Sequence, residues 1–152
     1  MKKVHPIKEV CIGCHLCEIA CVTAHSQSGD IVIAWREERR QGLIESCRHV
    51  VHKGPVCVAL SCRHCEEPAC VATCISGALT KDPVSGRTEY DASKCVGCWS
   101  CLMACPFGAI QRHPTRKCIV KCDLCAGRET PACVEACPNM ALVFEDRSKK
   151  KD

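Results

Sequence analysis

The segment 95–106 reads CVGCWSCLMACP: three cysteines lie at intervals of three residues, a fourth follows after four, and a proline comes next. This C-x2-C-x2-C-x3-C-P spacing is typical of chains that bind [4Fe–4S] clusters. One tight loop supplies three thiolates to three corners of a cube, and Gly97 keeps a side chain out of the turn. The fourth thiolate of such a segment usually binds a second cluster. The segment therefore predicts a partner motif elsewhere in the chain.

Sixteen of the 19 cysteines fall into four motifs of four. The motifs, in chain order, are Cys11, Cys14, Cys17 and Cys21; Cys62, Cys65, Cys70 and Cys74; Cys95, Cys98, Cys101 and Cys105; and Cys122, Cys125, Cys133 and Cys137. The first and third motifs share the frame C-x-G-C-x2-C-x2-A-C, and the second and fourth share the ending P-A-C-V-x2-C. This alternation indicates tandem duplication of a two-motif unit.

Zinc and disulfides are the two other uses of closely spaced cysteines. Structural zinc typically takes paired C-x2-C units, which explains neither three equally spaced cysteines nor Pro106 and Pro138 after fourth cysteines. Disulfide scaffolds are typical of short secreted chains, but the residues before Cys11 leave no room for the apolar core of a signal peptide. The pattern favours four [4Fe–4S] clusters and a cytoplasmic protein, and a zinc-binding regulatory or interaction module is the alternative of another class.

Composition and charge agree with bound metal. Aromatic residues make up only 3% of the 152 residues, so metal centres are expected to serve as much of the core and to contribute folding free energy. The formal charge is +4, and four clusters of about −2 each, thiolates included, would change it to about −4. The basic residues therefore indicate no nucleic-acid partner. No segment approaches the roughly 18 apolar residues of a membrane span.

Short strands and helices are predicted around the motifs, in an α+β arrangement. The apolar pairs 78–79, 109–110 and 141–142 follow three fourth cysteines at the same offset, and each is expected to begin a short strand. Turn residues between Leu79 and Cys95 predict a β-hairpin with Thr88–Tyr90 as its return strand. The residues between the third and fourth cysteine of each motif suit a short helix.

The segment 22–61 is expected to be an insertion of helix and strand. Residues 30–40 predict a short amphipathic helix with Asp30 as its cap and Gly42 as its stop. Two strands are expected around Leu43–Val51 and Val56–Leu60. The run Arg36–Arg40 either docks an acidic partner or forms a solvated helix face. The charged tail 146–152 is expected to fray. The cysteines outside the motifs are expected to be inert buried thiols: Cys47, Cys57 and Cys118.

Five side chains near the motifs have a structural and a functional interpretation. Trp99 is expected to shield a cluster from water. His15 and His64 are interpreted as surface or neighbouring residues of the clusters, and not as ligands. Lys94 and Lys121 precede first cysteines and either stabilise reduced clusters or are solvated surface charges.

The spacing leaves two pairings of the motifs open. In the crossed pairing, the second motif shares its clusters with the third and the first with the fourth. In the local pairing, the first shares with the second and the third with the fourth. Duplication favours the crossed pairing, because each pair then joins one motif of each type and gives pseudo-two-fold symmetry.

Residues 11 to about 145 resemble the four-cluster ferredoxin-type electron-transfer subunits, including the beta subunits of formate dehydrogenases, dimethyl sulfoxide reductases and formate hydrogenlyase. CRHCEEPAC (62–70), KCVGCWSCLMACPFGAI (94–110) and KCDLCAGRETPACVEACPNMAL (121–142) carry the resemblance. The short gap between Cys125 and Cys133 is most similar to the small ferredoxins of carbon monoxide dehydrogenase and of tungsten aldehyde oxidoreductases. Val22 and Ile75 depart from the pattern, since proline usually follows a fourth cysteine.

The resemblance implies a duplicated bacterial-ferredoxin-like dicluster fold and the crossed pairing. The implied ligand sets are quartet 1 (Cys11, Cys14, Cys17, Cys137), quartet 2 (Cys62, Cys65, Cys70, Cys105), quartet 3 (Cys95, Cys98, Cys101, Cys74) and quartet 4 (Cys122, Cys125, Cys133, Cys21). Residues 1–152 are then one compact unit of two interleaved modules. The inner module is 62–110, the outer combines 11–21 with 118–142, and 22–61 is inserted.

Electron transfer is the function that these observations predict. Every quartet is complete, and no Walker loop, GxGxxG turn or nucleophile elbow is present, so no catalytic residue is expected. By resemblance, the partners are a catalytic subunit of carbon monoxide dehydrogenase, aldehyde oxidoreductase, formate dehydrogenase or hydrogenase type and a flavin or NAD subunit. The alternative is a free-standing polyferredoxin. The sequence is also compatible with self-association into a filament.

Overall fold

The computed structural model describes residues 1–146, which form short helices and four two-stranded antiparallel sheets. The helices are α1 (Leu16–His25), α2 (Ile31–Ile33, continued by a π-helical turn over Ala34–Glu38), α3 (Ala69–Ala72), α4 (Ser100–Ala104) and α5 (Ala132–Glu135), and a 3-10 turn covers Ala92–Lys94. The paired strands, numbered in chain order, are β1 (Lys3–Pro6) with β8 (Leu142–Glu145), β2 (His49–Lys53) with β3 (Val56–Leu60), β4 (Leu79–Lys81) with β5 (Thr88–Tyr90), and β6 (Gln111–Arg112) with β7 (Ile119–Val120). The predicted α+β fold class is confirmed.

A short helix lies between the third and fourth cysteine of every motif, as predicted. The residue that follows the fourth cysteine helps to set where each helix ends. Pro106 follows Cys105, whose backbone is extended (φ −77°, ψ 110°), and α4 ends at Ala104 because proline disfavours the helical region in the residue before it. Val22 imposes no such restriction, so α1 continues past Cys21 to His25.

The predicted strands after the fourth cysteines are confirmed with small shifts. Strands β4 and β8 begin at the second residue of their apolar pairs, and β6 begins one residue beyond Ile110. All six residues of the three pairs are buried, with at most 5% of their surface exposed. The predicted hairpin is also confirmed, since Leu79 pairs with Tyr90 and Lys81 with Thr88. These strands close the core over the cysteine motifs.

The inserted segment differs from its prediction at the first strand. Residues 43–48 are not a strand, and β2 begins only at His49. The Ser46 hydroxyl donates to Arg48 O (2.6 Å) and accepts from Arg48 N (3.2 Å). A side chain therefore binds the backbone groups that a strand ladder would need. The second predicted strand, Val56–Leu60, is confirmed as β3.

The helix predicted after Asp30 begins and ends as expected. The prediction that it has an amphipathic face is wrong. The Asp30 side chain accepts hydrogen bonds from the amides of Val32 and Ile33, and the turn ends at Gly42 (φ 67°). Ile31, Val32 and Ile33, however, are 41–54% exposed. The buried residues lie in the π-helical turn that follows, where the Glu38 carboxylate accepts from Gln27 N and Ser28 N at 2.9 Å.

Cysteine contributes much of the core, as the composition predicts. One hydrophobic cluster consists of Val4, Cys17, Ala59, Cys62, Cys122, Leu124, Cys133 and Leu142, and a second consists of Leu79, Cys101, Ile110 and Ile119. Within residues 1–146, no helix has the length and apolar character needed to cross a bilayer. Asp146 accepts a hydrogen bond from the amino group of Met1. The rest of the tail expected to fray lies outside the described residues.

Candidate iron–sulfur sites

Two cavities each contain a complete predicted quartet in their walls. The first is lined by all four thiols of quartet 1, in which Cys137 comes from the far end of the chain. The second is lined by all four thiols of quartet 3, in which Cys74 joins the loop 95–101. Each cavity therefore combines thiols from two motifs, in the crossed arrangement.

The thiols of quartets 2 and 4 also lie together, as their mutual effects on ionisation indicate. Burial raises the pKa of Cys70, and the charges of Cys62, Cys105 and Cys65, the other three members of quartet 2, act on the same thiol. Burial likewise raises the pKa of Cys122 to about 12, with further contributions from Cys21 and Cys133 of quartet 4. The charges of Cys21 and Cys133 act on Cys125 as well.

Positive backbone φ angles shape every cysteine loop. His15 and Trp99 follow the second cysteines of their motifs at φ 61° and 63°, and His64 and Leu124 precede the second cysteines of theirs at 46° and 62°. This left-handed conformation costs about 1–2 kcal/mol in a residue with a side chain. Strain of this kind at four related positions is typical of a functional site whose ligand compensates for it.

Gly97 and Gly13 occupy the equivalent turn positions of the third and first motifs, at φ 68° and 67°. A Cβ at Gly97 would lie 3.0 Å from Lys117 O, and one at Gly13 would lie 2.6 Å from His52 Cε1. Both turns therefore need glycine for its backbone freedom and for the missing side chain.

Backbone amides donate hydrogen bonds to the fourth cysteines, a feature that sequence reasoning missed. The donor is the alanine four residues later: Ala109 N to Cys105 Sγ at 3.5 Å and Ala141 N to Cys137 Sγ at 3.2 Å. Burial raises the pKa of Cys74, but amide hydrogen bonds, including one from Ala78, contribute to a larger opposite effect. The pKa of Cys74 is therefore lowered on balance. Such bonds stabilise thiolates, the form that binds iron. The repeated offset of four is visible in the sequence, but there it indicates only a buried apolar pair.

His25 takes this position in the first motif, and sequence reasoning missed it as well. Its Nδ1 lies 2.8 Å from Cys21 O and 4.0 Å from Cys21 Sγ, and its Nε2 lies 2.9 Å from Asp123 Oδ1. The hydrogen bond to Asp123 raises the pKa of His25 to about 11. Hydrogen bonds from Cys47 and His25 lower the pKa of Cys21 to about 4. A cation therefore lies beside the fourth thiol of quartet 4.

Trp99 and the two histidines lie in three different environments. Trp99 is half-buried and lines the cavity of quartet 3, and the Arg112 guanidinium stacks on its ring at 4.6 Å. His15 is exposed, bonds Glu18 at 3.0 Å and stacks on His52. His64 is fully buried, and its Nδ1 accepts from Thr88 N at 3.0 Å.

The two lysines before first cysteines have different environments. Lys94 is exposed and pairs with Asp91 at 3.3 Å, which fits a solvated charge. Lys121 is only 8% exposed and donates to Thr88 O (2.5 Å) and Cys122 O (2.8 Å). The solvated interpretation is therefore wrong for Lys121, which is a buried cation next to quartet 4.

The three cysteines outside the quartets are only partly buried. Cys47 N donates to Cys21 Sγ at 3.4 Å, and Cys57 Sγ lies 3.1 Å from His52 Nδ1. Cys118 is also half-buried, and its carbonyl accepts from His113 N. None of the cysteines of residues 1–146 forms a disulfide.

The residues present fit iron–sulfur clusters on the chemistry of their donors. Each quartet offers four soft thiols and no carboxylate, which suits iron–sulfur ligation. Several buried nitrogen atoms near the quartets, including His64 Nε2 and two on Arg48, have no hydrogen-bond partner within residues 1–146. Buried donors of this kind need an acceptor, and thiolate or sulfide sulfur supplies one.

These sites define a ferredoxin-type iron–sulfur protein. Residues 56–147 match the family described as 4Fe-4S dicluster domain, and the protein belongs to that family. It is 35% identical over 155 residues to the electron transport protein HydN of Escherichia coli strain K12, covering 91% of this chain and 85% of HydN. It is 37% identical over 149 residues to the B subunit of the anaerobic dimethyl sulfoxide reductase of the same strain, covering 93% of this chain and 72% of that subunit.

Longer proteins contain the same unit. The chain is 40% identical over 140 residues to AegA of Escherichia coli strain K12, covering 87% of this chain and only 20% of AegA. Among solved structures, it matches a subunit of the active site complex BamBC of benzoyl coenzyme A reductase with a TM-score of 0.52 and 23% identity, covering 100% of this chain and 79% of that one. The predicted resemblance to ferredoxin-type electron-transfer proteins is thereby confirmed, and the structural match supports the fold alone.

Proposed function

We propose that this chain is an electron-transfer subunit that relays single electrons through four [4Fe–4S] clusters, held by quartets 1 to 4. The observation that carries the proposal is that two cavities are each lined by four thiols drawn from two motifs. Each bound cluster supplies one-electron redox chemistry. The chain holds the thiolates, covers them with apolar side chains and fixes cations beside them.

The positions of the quartets support a continuous row in the order 1, 4, 2, 3. Cys17 of quartet 1 lies near Cys133 of quartet 4. Lys121 is adjacent to Cys122 of quartet 4, and its charge also acts on Cys70 of quartet 2. Cysteines of quartets 2 and 3 share the second hydrophobic cluster. We further propose the module boundaries 62–110, 11–21 with 118–142, and the insertion 22–61.

The two ends of this row carry the only exposed thiols among residues 1–146, which supports entry and exit of electrons at separate faces. Cys14 belongs to quartet 1 and Cys98 to quartet 3. Apolar side chains stand beside both: Ile12 is 60% exposed and Val96 is 61% exposed. A relay needs two such faces, one for each redox partner.

The proposed partners are a catalytic oxidoreductase subunit and a second redox protein such as a flavin or NAD subunit. HydN and the B subunit of dimethyl sulfoxide reductase support an oxidoreductase setting. We propose a carbon monoxide dehydrogenase, aldehyde oxidoreductase, formate dehydrogenase or hydrogenase as the catalytic partner, a cytoplasmic location and no substrate chemistry in this chain. Copies that associate into a filament are compatible with two exposed ends.

Metal analysis of protein purified without oxygen tests the cofactor. We expect about sixteen irons and as many acid-labile sulfides per chain, because four quartets each hold a cube. Cys118→Ala is the control and should keep the full content, since Cys118 belongs to no quartet. Stoichiometric zinc in place of iron would overturn the proposal and leave the zinc-binding module.

Affinity purification from the native cell tests the partners. A stoichiometric large oxidoreductase subunit is expected to co-purify with the chain. Recovery of the iron-loaded chain alone would favour the free-standing polyferredoxin instead.

A further inference from the structure

Arg48 is among the largest fully buried side chains of residues 1–146, with 2% of its surface exposed. It comes from the irregular stretch before β2, which Ser46 holds out of the sheet. Its Nη1 donates to Ala59 O at 3.1 Å. Its Nε and Nη2 are buried and have no hydrogen-bond partner within residues 1–146. The inserted segment thus delivers a permanent cation to the interior.

The guanidinium is held beside thiols of quartets 1 and 4. Ala59, whose carbonyl accepts the hydrogen bond from Nη1, belongs to one hydrophobic cluster with Cys17 of quartet 1 and with Cys122 and Cys133 of quartet 4.

A buried cation in this environment requires an anion. No carboxylate of residues 1–146 forms a salt bridge with Arg48, and an uncompensated buried charge is strongly destabilising. Lys121, the other buried cation near quartet 4, differs because two backbone carbonyls accept from its amino group. Arg48 keeps two nitrogens available, and the thiol of Cys133 in quartet 4 lies near its guanidinium.

We propose that Arg48 is a positioning residue of the relay, a fixed charge that donates to sulfur at quartet 4 and favours the reduced state of the clusters held by quartets 1 and 4. The inference rests on the proposed function. Reduction adds one negative charge to a cluster, and a buried cation at contact distance stabilises that state far more than a solvated one. The inserted segment 22–61 thereby makes the outer clusters, held by quartets 1 and 4, differ in redox behaviour from the inner clusters, held by quartets 2 and 3.

Redox titration of the purified holoprotein, followed by electron paramagnetic resonance without oxygen, tests the assignment. In Arg48→Met, we expect the ratio of reduced to oxidised cluster at a fixed potential to fall at least tenfold for two of the four clusters. This corresponds to a shift of about 59 mV to lower potential. In Arg48→Lys, which keeps the charge, most of this shift should be absent. Arg36→Met is the matched control, since Arg36 is exposed and lies in the same inserted segment, outside the cysteine motifs.

The iron content of each variant separates this role from a purely structural one. If Arg48→Met loads incompletely, Arg48→Gln carries the test, since its amide can still donate to Ala59 O. Loss of about eight irons in both neutral variants, with full loading in Arg48→Lys, also supports the proposal, because two cubes then require the cation. Unchanged potentials in a loaded neutral variant, or equal iron loss in Arg48→Lys, overturn it. Absence of iron from the wild-type protein would instead defeat the proposed function.

Discussion

Individual cations, more than the basic surface, act on the thiols of the outer quartets. His25 is held in its charged form by Asp123 and lies beside Cys21. Arg48 acts on both outer quartets from the interior. The thiolate is the form that binds iron. His25 favours that form at Cys21, whereas Arg48 only partly offsets the effect of burial, which keeps the pKa of Cys17 and Cys133 raised.

Pairs of cysteine variants distinguish the crossed from the local pairing. Cys74→Ala and Cys98→Ala remove ligands of one cluster in the crossed pairing, so the double variant should lose about four irons, no more than either single variant. In the local pairing, the two cysteines serve different clusters and the double variant loses about eight. Iron analysis without oxygen measures the difference.

The reciprocal pair controls for general instability. Cys98→Ala combined with Cys137→Ala should lose about eight irons in the crossed pairing and about four in the local one. Equal losses in both double variants would contradict the assignment of the quartets.

The burial of His113 predicts that the stability of the fold depends on pH. It is 5% exposed, and its Nδ1 accepts from Thr115 N and Arg116 N. Burial, followed by the charge of Arg116, lowers the pKa of His113 below its ordinary 6.5. The unfolded chain therefore binds a proton at a pH where the folded chain does not, so stability is lost as pH falls below about 6.5.

Thermal unfolding of the holoprotein without oxygen, at pH 7.5 and 5.5, checks this effect. The loss from this residue is at most about 1.4 kcal/mol at pH 5.5. His113→Asn, which offers Oδ1 as an acceptor in place of Nδ1, should lose less stability between the two pH values. An identical loss in this variant would show that His113 does not contribute.

At the level of elements, α1 is the longest of the four motif helices. The residue after its fourth cysteine permits this extension without determining it, since α3 ends at Ala72 although Ile75 follows its fourth cysteine. Helix α1 continues three residues beyond Val22 to His25, since valine permits helix where proline would not, and this extension brings His25 to Asp123. Helices α4 and α5 end before their prolines. One substitution in a repeated motif therefore changes which side chain reaches the fourth thiol.

Proline at positions 22 and 75, which lack the usual proline after a fourth cysteine, should have different effects on stability. Val22 is fully buried inside α1, so Val22→Pro removes a helical hydrogen bond and should destabilise the fold by about 3 kcal/mol or more. Ile75 is 79% exposed in a turn after α3, and Ile75→Pro should be nearly neutral. Iron content and thermal unfolding of both variants, compared side by side, measure this. Equal destabilisation would contradict the role given to Val22.

The sequence predicts those elements whose determinants are local. Cysteine spacing, the turn residues of the hairpin 79–90 and the Asp30 cap act within a few residues, and the structure has the corresponding elements. The late start of β2 follows from a side chain that binds the backbone two residues away, and the π-helical turn is held by the contacts of Glu38 with Gln27 and Ser28. No pattern within 43–48 indicates that Ser46 binds the backbone of Arg48.

The same distinction holds for the sites. Spacing identifies the sixteen thiols because iron ligation demands a fixed local geometry. Spacing does not identify Arg48 or His25, because one isolated basic residue has no repeat and becomes notable only once burial and neighbours are known. The alanine amides show an intermediate case, in which the repeated offset is visible but its hydrogen bond to sulfur requires the fold.

At the level of the whole molecule, the row of quartets explains why so small a protein has few large apolar side chains. Half of the first hydrophobic cluster consists of cysteines that belong to quartets. With the proposed clusters in place, metal binding at these residues would be part of folding. The same sulfur atoms fill the interior and hold the proposed path between the exposed ends at Cys14 and Cys98.

The net charge of the loaded protein follows from this arrangement. The chain carries a formal charge of +4 with neutral thiols, and each occupied quartet would subtract about 2, so four clusters give about −4. The holoprotein should focus below pH 7 in an isoelectric gradient run without oxygen, whereas the sequence predicts an isoelectric point near 8.3 for the metal-free protein. Each quartet variant that loses one cluster should focus at a higher pH than the wild type. A fully iron-loaded protein that focused above pH 7 would contradict ligation by sixteen thiolates.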